Sequence, residues 1–173
     1  MRKKSKYRPK GVRLDVVNWV LAGMKKVGSL PTAGVALKLK NHEALDSILK
    51  GHGTKDDVDV LIAAMNMSEA LTRIRDELGV DWSNEIKAAQ DALYSMAKRG
   101  VAKGRFAFTG PEMTAVKLAM DIHDAQLDEC NVKEMEKALD IVHEEIRLKK
   151  ARPIIEQPKP KPRQMHMKFV FEE

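Results

Sequence analysis

Apolar side chains recur at intervals of three and four residues along most of this chain, which is the spacing of amphipathic helices. The most regular stripe lies in residues 132–146 and consists of Val132, Met135, Leu139, Val142 and Ile146. A second stripe, in residues 111–130, consists of Met113, Val116, Met120, His123 and Leu127. The pattern predicts two helices that follow each other closely and pack as an antiparallel pair.

The middle of the chain predicts two further helices. Thr54 and Asp57 form a variant of the capping box, which predicts a long helix that runs to about Leu78. Its first half is apolar on two faces, so we expect this helix to lie at the centre of the fold. Gly79 ends it, and a fourth helix is predicted from about Trp82 to Arg99.

The N-terminal third is less regular. A short helix is predicted over residues 15–25, with Val17, Val20, Leu21 and Met24 on one face. Apolar and polar residues then alternate in "VALKLK" (35–40), which is the spacing of a strand, and "GRFAFT" (104–109) is its best partner. Asn41 would cap a helix over 42–50 that "GHG" ends.

These elements predict a mainly α fold: a single domain of five or six helices with a small two-stranded β-ribbon. With 173 residues, the chain is long enough for one domain and short for two. We divide it into a basic N-terminal arm (1–13), a helical domain (14–149) and a C-terminal tail rich in proline and lysine (150–173).

Charge is strongly segregated along the chain. The whole chain has a formal charge of +6. Residues 1–13 carry seven basic side chains and no acid, which gives +7, and residues 149–173 carry seven basic and three acidic side chains, which gives +4. The region between them therefore carries −5, so an acidic body lies between two basic segments.

The basic segments are the candidate nucleic-acid site. Tyr7 can stack on a base, Pro9 limits the freedom of the arm, and lysine and arginine neutralise phosphates without reading sequence. The alternative is a solvated tail. The candidate residues are Arg2, Lys3, Lys4, Lys6, Tyr7, Arg8, Lys10 and Arg13 in the arm, and Lys159, Lys161 and Arg163 in the tail.

Two other stretches have the outline of a nucleic-acid or phosphate site. Two helices joined by "GHG" resemble a helix-turn-helix, but the second begins with Asp56, Asp57 and Asp59, which would repel DNA, so an ordinary helical hairpin is favoured. The loop "GVAKGRFAFTG" precedes a helix start, where anions bind. It lacks the ending of a P-loop and Glu112 occupies the helix start, so a structural loop is favoured.

The metal-binding and catalytic residue types do not form a recognisable motif. If the last two helices pair, their ligand-type side chains could meet, but neither helix has the Glu-x-x-His pattern, and no catalytic triad or dyad is defensible. We therefore predict no enzyme activity, no metal and no cofactor. The residues concerned are His123, Asp124, Asp128 and Cys130, followed by Asp140, His143 and Glu144.

The single cysteine favours a reducing compartment, because it has no partner for an internal disulfide. The apolar run after the basic arm is too short to span a membrane and no small-residue cleavage motif follows it. We therefore expect a cytoplasmic protein without membrane contact. Oligomeric state stays open.

The segments "KYRPKGVRLD", "LKLKNHEAL" and "DVLIAAMNMSEAL" resemble small uncharacterised accessory proteins of tailed bacteriophages and prophages of Gram-negative bacteria. The resemblance covers about the first half of the chain. It implies a bacterial cytoplasm and a role in genome handling or in interference with a host protein. Two functions remain: nucleic-acid contact through the basic arms, or a protein-binding module that inhibits or modulates a host protein through its acidic body and exposed methionines.

Overall fold

The structure, a computed structural model, describes residues 16–30 and 32–150, and it is mainly helical in those ranges. Short 3₁₀ turns lie at Val27–Ser29, Asp76–Leu78 and Val80–Trp82. The fold class predicted from the sequence is confirmed. The helices are α1 (Val16–Gly23), α2 (Ala33–Leu49), α3 (Lys55–Thr72), α4 (Ser83–Lys103), α5 (Gly110–Glu129) and α6 (Val132–Arg147).

Helix α3 is the central element, as its two apolar faces predict. It packs against α2, α4, α5 and α6. One face joins a large core in which Leu61, Met65 and Met96 are completely buried. The other face contributes Ala70 and Leu71 to a second core beneath α6.

The predicted helix start at Thr54 is confirmed, and α5 and α6 begin with the same kind of capping box. The Asp57 carboxylate accepts a hydrogen bond from the backbone N–H of Thr54 at 2.8 Å. Glu134 does the same for Asn131 at 2.9 Å. These capping boxes provide hydrogen-bond acceptors for backbone amide groups that have no acceptor within the helix. Residues three positions apart therefore determine where each helix begins.

The predicted β-ribbon is wrong, because residues 35–40 lie inside helix α2. The side chains that α2 buries are Asn41, Ala44, Leu45 and Ile48, which recur at helical spacing. The apolar residues that alternate before them are mostly exposed. Asn41 is therefore a buried position inside the helix and not its cap. Residues 105–109 form no strand, and Phe106 and Phe108 pack on the main core instead.

The predicted pairing of the last two helices is also wrong. Beyond the connection at Cys130, α6 packs along α3 and not along α5. The apolar stripe of α6, including Met135 and Val142, closes the second core together with Leu71 of α3. The second apolar face of α3 thus provides the surface that α6 covers.

A buried polar network fixes the turn after α3. The amide of Gln126 in α5 donates to the carbonyl oxygen of Leu78 at 2.6 Å and accepts from the Ser68 hydroxyl at 2.7 Å. Gly79 then takes φ +106°, a conformation that favours glycine. Helix α3 ends at Thr72, earlier than predicted, and the chain reaches Gly79 through a 3₁₀ turn.

Candidate binding surfaces

The nucleic-acid-binding residues predicted from the sequence lie outside the described residues. This applies to the whole set in residues 2–13 and to Lys159, Lys161 and Arg163. Their assignment as nucleic-acid-binding residues stays a prediction. The structure bears on it only through the charges of the body, which lies between the two segments in the sequence.

Arginines of that body pair with carboxylates of the same body. Arg99 makes two hydrogen bonds with Glu112, and Arg73 joins Glu69 in α3 to Glu145 in α6. Such pairs hold the guanidinium groups in fixed positions against protein oxygens. Arg75 and Arg147 also lie within ion-pair distance of glutamates.

The acidic face of α5 is partly neutralised in the same way. Lys38 donates to Asp128 at 2.7 Å, and His42 lies 2.6 Å from Asp124, so two carboxylates of α5 face α2. Lys26 reaches Glu129 at 2.8 Å. A partner attracted by acidic charge would therefore meet less free charge on α5 than the sequence indicates.

The ligand-type residues of α5 and α6 do not meet. The side chains of Asp140, His143 and Glu144 are exposed on α6, whereas His123 is buried in α5. Residues 16–30 and 32–150 contain no group of three or more histidine, cysteine, aspartate or glutamate side chains placed to hold a metal ion.

His123 is a core residue with an unusual environment. Its ring is 1% exposed, and Nδ1 has no hydrogen-bond partner among the described residues. Burial lowers the pKa of His123 to about 4, although a hydrogen bond that the ring donates to Gln126 and the charge of Asp124 act in the opposite direction. The imidazole is therefore neutral at pH 7. Burial likewise raises the pKa of the Cys130 thiol, to about 11, so the thiol is not an activated nucleophile.

The loop considered as a phosphate site is held as a structural connection. Phe106 packs on Gly100, and Glu112 accepts from the backbone N–H of Thr109 at 2.8 Å at the helix start. Hydrogen bonds from Arg99 lower the pKa of Glu112, so an ionised carboxylate already occupies the place where an anion would bind.

An open cleft of about 200 Å³ lies where α3, α4 and α6 meet. We call it the α3/α4/α6 cleft. It has an apolar floor and polar walls, which is the usual composition of a site that takes up an apolar side chain. Its apolar lining residues, called its floor below, are Ile62, Met65, Leu93, Val142 and the 56% exposed Ile146, and its polar lining residues, called its walls, are Asn66, Glu69, Gln90, Tyr94, Glu145 and Lys150.

One wall of this cleft is a fixed polar network. Gln90 donates to Glu69 at 2.8 Å, and Arg73 holds both Glu69 and Glu145. Burial raises the pKa of Glu69, but the hydrogen bonds from Gln90 and Arg73 outweigh it and leave the pKa below its usual value. The two carboxylates that line the cleft, those of Glu69 and Glu145, thus already have hydrogen-bond partners. The sequence missed this site because it depends on α6 packing against α3.

Large apolar side chains are also exposed on α1, on the turn after it and on the first half of α2. Met24 is 69% exposed, Val35 58% and Leu39 56%, and Val20, Leu21 and Leu37 are exposed as well. The face of α1 predicted from the sequence is thus exposed at its C-terminal end. The other described methionines are buried or half-buried, so the expected surface of exposed methionines is not present in the described body.

These observations define a helical body around a central helix, with the α3/α4/α6 cleft and with exposed apolar side chains on α1 and α2. No helix in the described ranges is long and apolar enough to cross a membrane. Comparison of the chain with models of known protein families, with curated proteins and with solved structures finds no match.

Proposed function

We propose that this protein is a non-enzymatic accessory protein that contacts nucleic acid through its basic terminal segments. The observation that carries the proposal is the segregation of charge: residues 1–13 carry +7 and no acid, while Arg73, Arg75, Arg99 and Arg147 of the body pair with glutamates. Because the region between the segments carries −5 as a whole, we expect phosphate contacts to come mainly from the segments.

The mechanism follows from counterion release. Each phosphate that lysine or arginine neutralises releases condensed cations, which gives affinity that depends on salt and little on sequence. Tyr7 adds stacking on an unpaired base. The resemblance to bacteriophage accessory proteins supports genome handling in a bacterial cytoplasm as the role.

The experiment measures fluorescence anisotropy of labelled single- and double-stranded oligonucleotides across a salt series. Wild type is compared with a variant in which Lys3, Lys4 and Lys6 are changed to Gln. We expect micromolar binding with a log–log salt slope of about −4 to −6 for wild type, and a slope reduced by about 2 to 3 for the variant.

The matched control changes Lys87, Lys103 and Lys117, which are exposed on α4 and α5, to Gln. It removes the same charge from the body. We expect it to bind like wild type. Equal losses in both variants would mean that net charge or the body binds, and absence of binding at low salt would rule out the proposed function.

The second candidate is a protein-binding module that modulates a host protein. The run of exposed apolar side chains on α1 and α2 favours it, because a contiguous exposed apolar patch marks an interaction site, whereas single exposed apolar residues do not. The exposed Lys25 and Lys40 lie next to them in sequence. We therefore expect a partner with an apolar contact face flanked by acidic side chains.

The two candidates respond to different variants. Leu21→Asp with Met24→Asp should abolish binding to a host protein and leave oligonucleotide binding intact. Leu118→Asp with Leu139→Asp is the matched control, since both leucines are exposed on other helices. The second candidate would be supported if a host protein binds the control variant and the three-lysine variant of the arm but does not bind the Leu21 and Met24 variant.

A further inference from the structure

The chain reverses direction at the end of α6. The N–H of Lys150 donates to the carbonyl oxygen of Glu145 at 3.0 Å, and the N–H of Lys149 donates to that of Ile146 at 3.0 Å. These two bonds, with Lys149 at φ +54°, form a Schellman motif. The left-handed conformation is unfavourable for lysine, and it persists where the surrounding structure requires it.

The reversal brings the chain to the α3/α4/α6 cleft. Lys150, the last described residue, itself lines this cleft together with Ile146 and Val142 of the same helix. Residues 151–155 follow directly, and four or five extended residues reach roughly 13–18 Å. The apolar pair Ile154 and Ile155 therefore lies within reach of the floor.

The chemistry of the floor suits such a pair. It consists of aliphatic side chains and one methionine, and the cleft measures about 200 Å³. A cavity of about 150 Å³ lined by such side chains accommodates a benzene molecule. Branched aliphatic side chains of similar size would fill the cleft and remove its apolar surface from water.

We propose that residues 152–156 of this chain bind in the α3/α4/α6 cleft, with Ile154 and Ile155 against its floor. A segment tethered by so few residues has an effective concentration in the millimolar range, so it outcompetes a partner at ordinary concentration. The contact would also anchor the basic residues Lys159, Lys161 and Arg163 close to the body. This inference does not depend on the proposed function.

The direct test is nuclear magnetic resonance of the full chain with labelled isoleucine, leucine and valine methyl groups. We expect nuclear Overhauser effects from the methyl groups of Ile154 or Ile155 to those of Ile62, Leu93 or Val142. Methyl shifts of an unfolded chain for Ile154 and Ile155, without these contacts, would overturn the proposal. Contacts found only between differently labelled copies would overturn it too, because the segment of a second chain would then fill the cleft.

A variant pair tests the same contact by stability. Ile154→Asp with Ile155→Asp should lower the melting temperature of the full chain by about 4–10 °C, because the apolar contact is lost. Met165→Asp with Met167→Asp, in the same tail, adds the same charge and should leave the melting temperature unchanged. Equal melting temperatures for the two variants would contradict the proposal.

Discussion

The ring of Phe106 lies directly over Gly100 of α4. Its Cδ1 atom is 2.0 Å from the position that a Cβ atom on residue 100 would occupy. No side chain larger than hydrogen fits at residue 100 without displacing the ring. This contact folds the α4–α5 connection back onto the main core.

Gly100→Ala should therefore destabilise the protein by about 1–3 kcal/mol, since the added methyl group forces the ring of Phe106 out of place. The measurement is the free energy of unfolding in denaturant. Gly110→Ala is the control, because nothing lies within 4 Å of a Cβ at residue 110. It should be neutral or slightly stabilising, and a Gly100→Ala variant of equal stability would show that Phe106 moves freely.

Glu112→Gln should cost about 1–2 kcal/mol at pH 7, because the Arg99 guanidinium loses a charged double hydrogen bond. Hydrogen bonds from Arg99 lower the pKa of Glu112 in the folded protein. The stability that Glu112 adds is therefore present above its usual pKa and is lost as the pH falls through the lowered value.

The difference between wild type and Glu112→Gln should accordingly shrink in denaturant titrations as the pH falls below the usual pKa of a glutamate. Glu136→Gln, at an exposed position on α6, is the control and should change stability little at any pH. A difference at Glu112 that stays constant with pH would mean that its charge is not what stabilises the helix start.

His123 should make the stability of the protein depend on pH between its ordinary pKa and its lowered pKa. The pKa of the buried ring is about 4, below its ordinary 6.5, so the unfolded chain takes up a proton at higher pH than the folded one. Stability is complete above pH 6.5 and falls by about 3 kcal/mol as the pH drops to 4.

His123→Gln removes this titration. We expect wild type to lose its advantage over this variant between pH 6.5 and 4, as measured by denaturant unfolding at several pH values. His143→Gln is the control, since that ring is exposed. If the gap between wild type and His123→Gln were the same at pH 7 and pH 4, the buried ring would not be the cause.

Lys149→Gly should stabilise the protein by about 0.5–1 kcal/mol, because glycine adopts the left-handed conformation without strain. Lys149→Ala removes the same charge and keeps the strain, so it should give no gain. Thermal unfolding of the two variants measures the difference. Equal melting temperatures would indicate that the conformation at residue 149 carries no strain.

Helix starts could be predicted because they depend on side chains three residues apart. The two partners of each capping box, Thr54 with Asp57 and Asn131 with Glu134, can be read directly from the sequence. The alternation at 35–40 was misleading because Val35 and Leu39 are exposed, while a polar residue, Asn41, is buried in α2. Period alone does not reveal which apolar residues a fold leaves in water.

Helix pairing and the cleft could not be predicted, since they depend on contacts between distant segments. Val132, Met135 and Val142 of the predicted α6 stripe pack on the second core, whereas Leu139 and Ile146 are exposed. The partner of this stripe is α3, which begins more than seventy residues earlier in the sequence than α6. The cleft is formed only because α6 packs against α3. The basic segments, in contrast, could be identified from the sequence alone, because the charge of a segment does not depend on the fold.

The burial of Cys130 also makes this thiol a reporter of opening. It is 0% exposed in the second core, and burial raises its pKa to about 11. A thiol reagent at neutral pH would therefore label the chain only when the core around α6 opens. The labelling rate would therefore measure how often the core around α6 opens in the native protein. Such openings are too rare for spectroscopy of the whole population to detect.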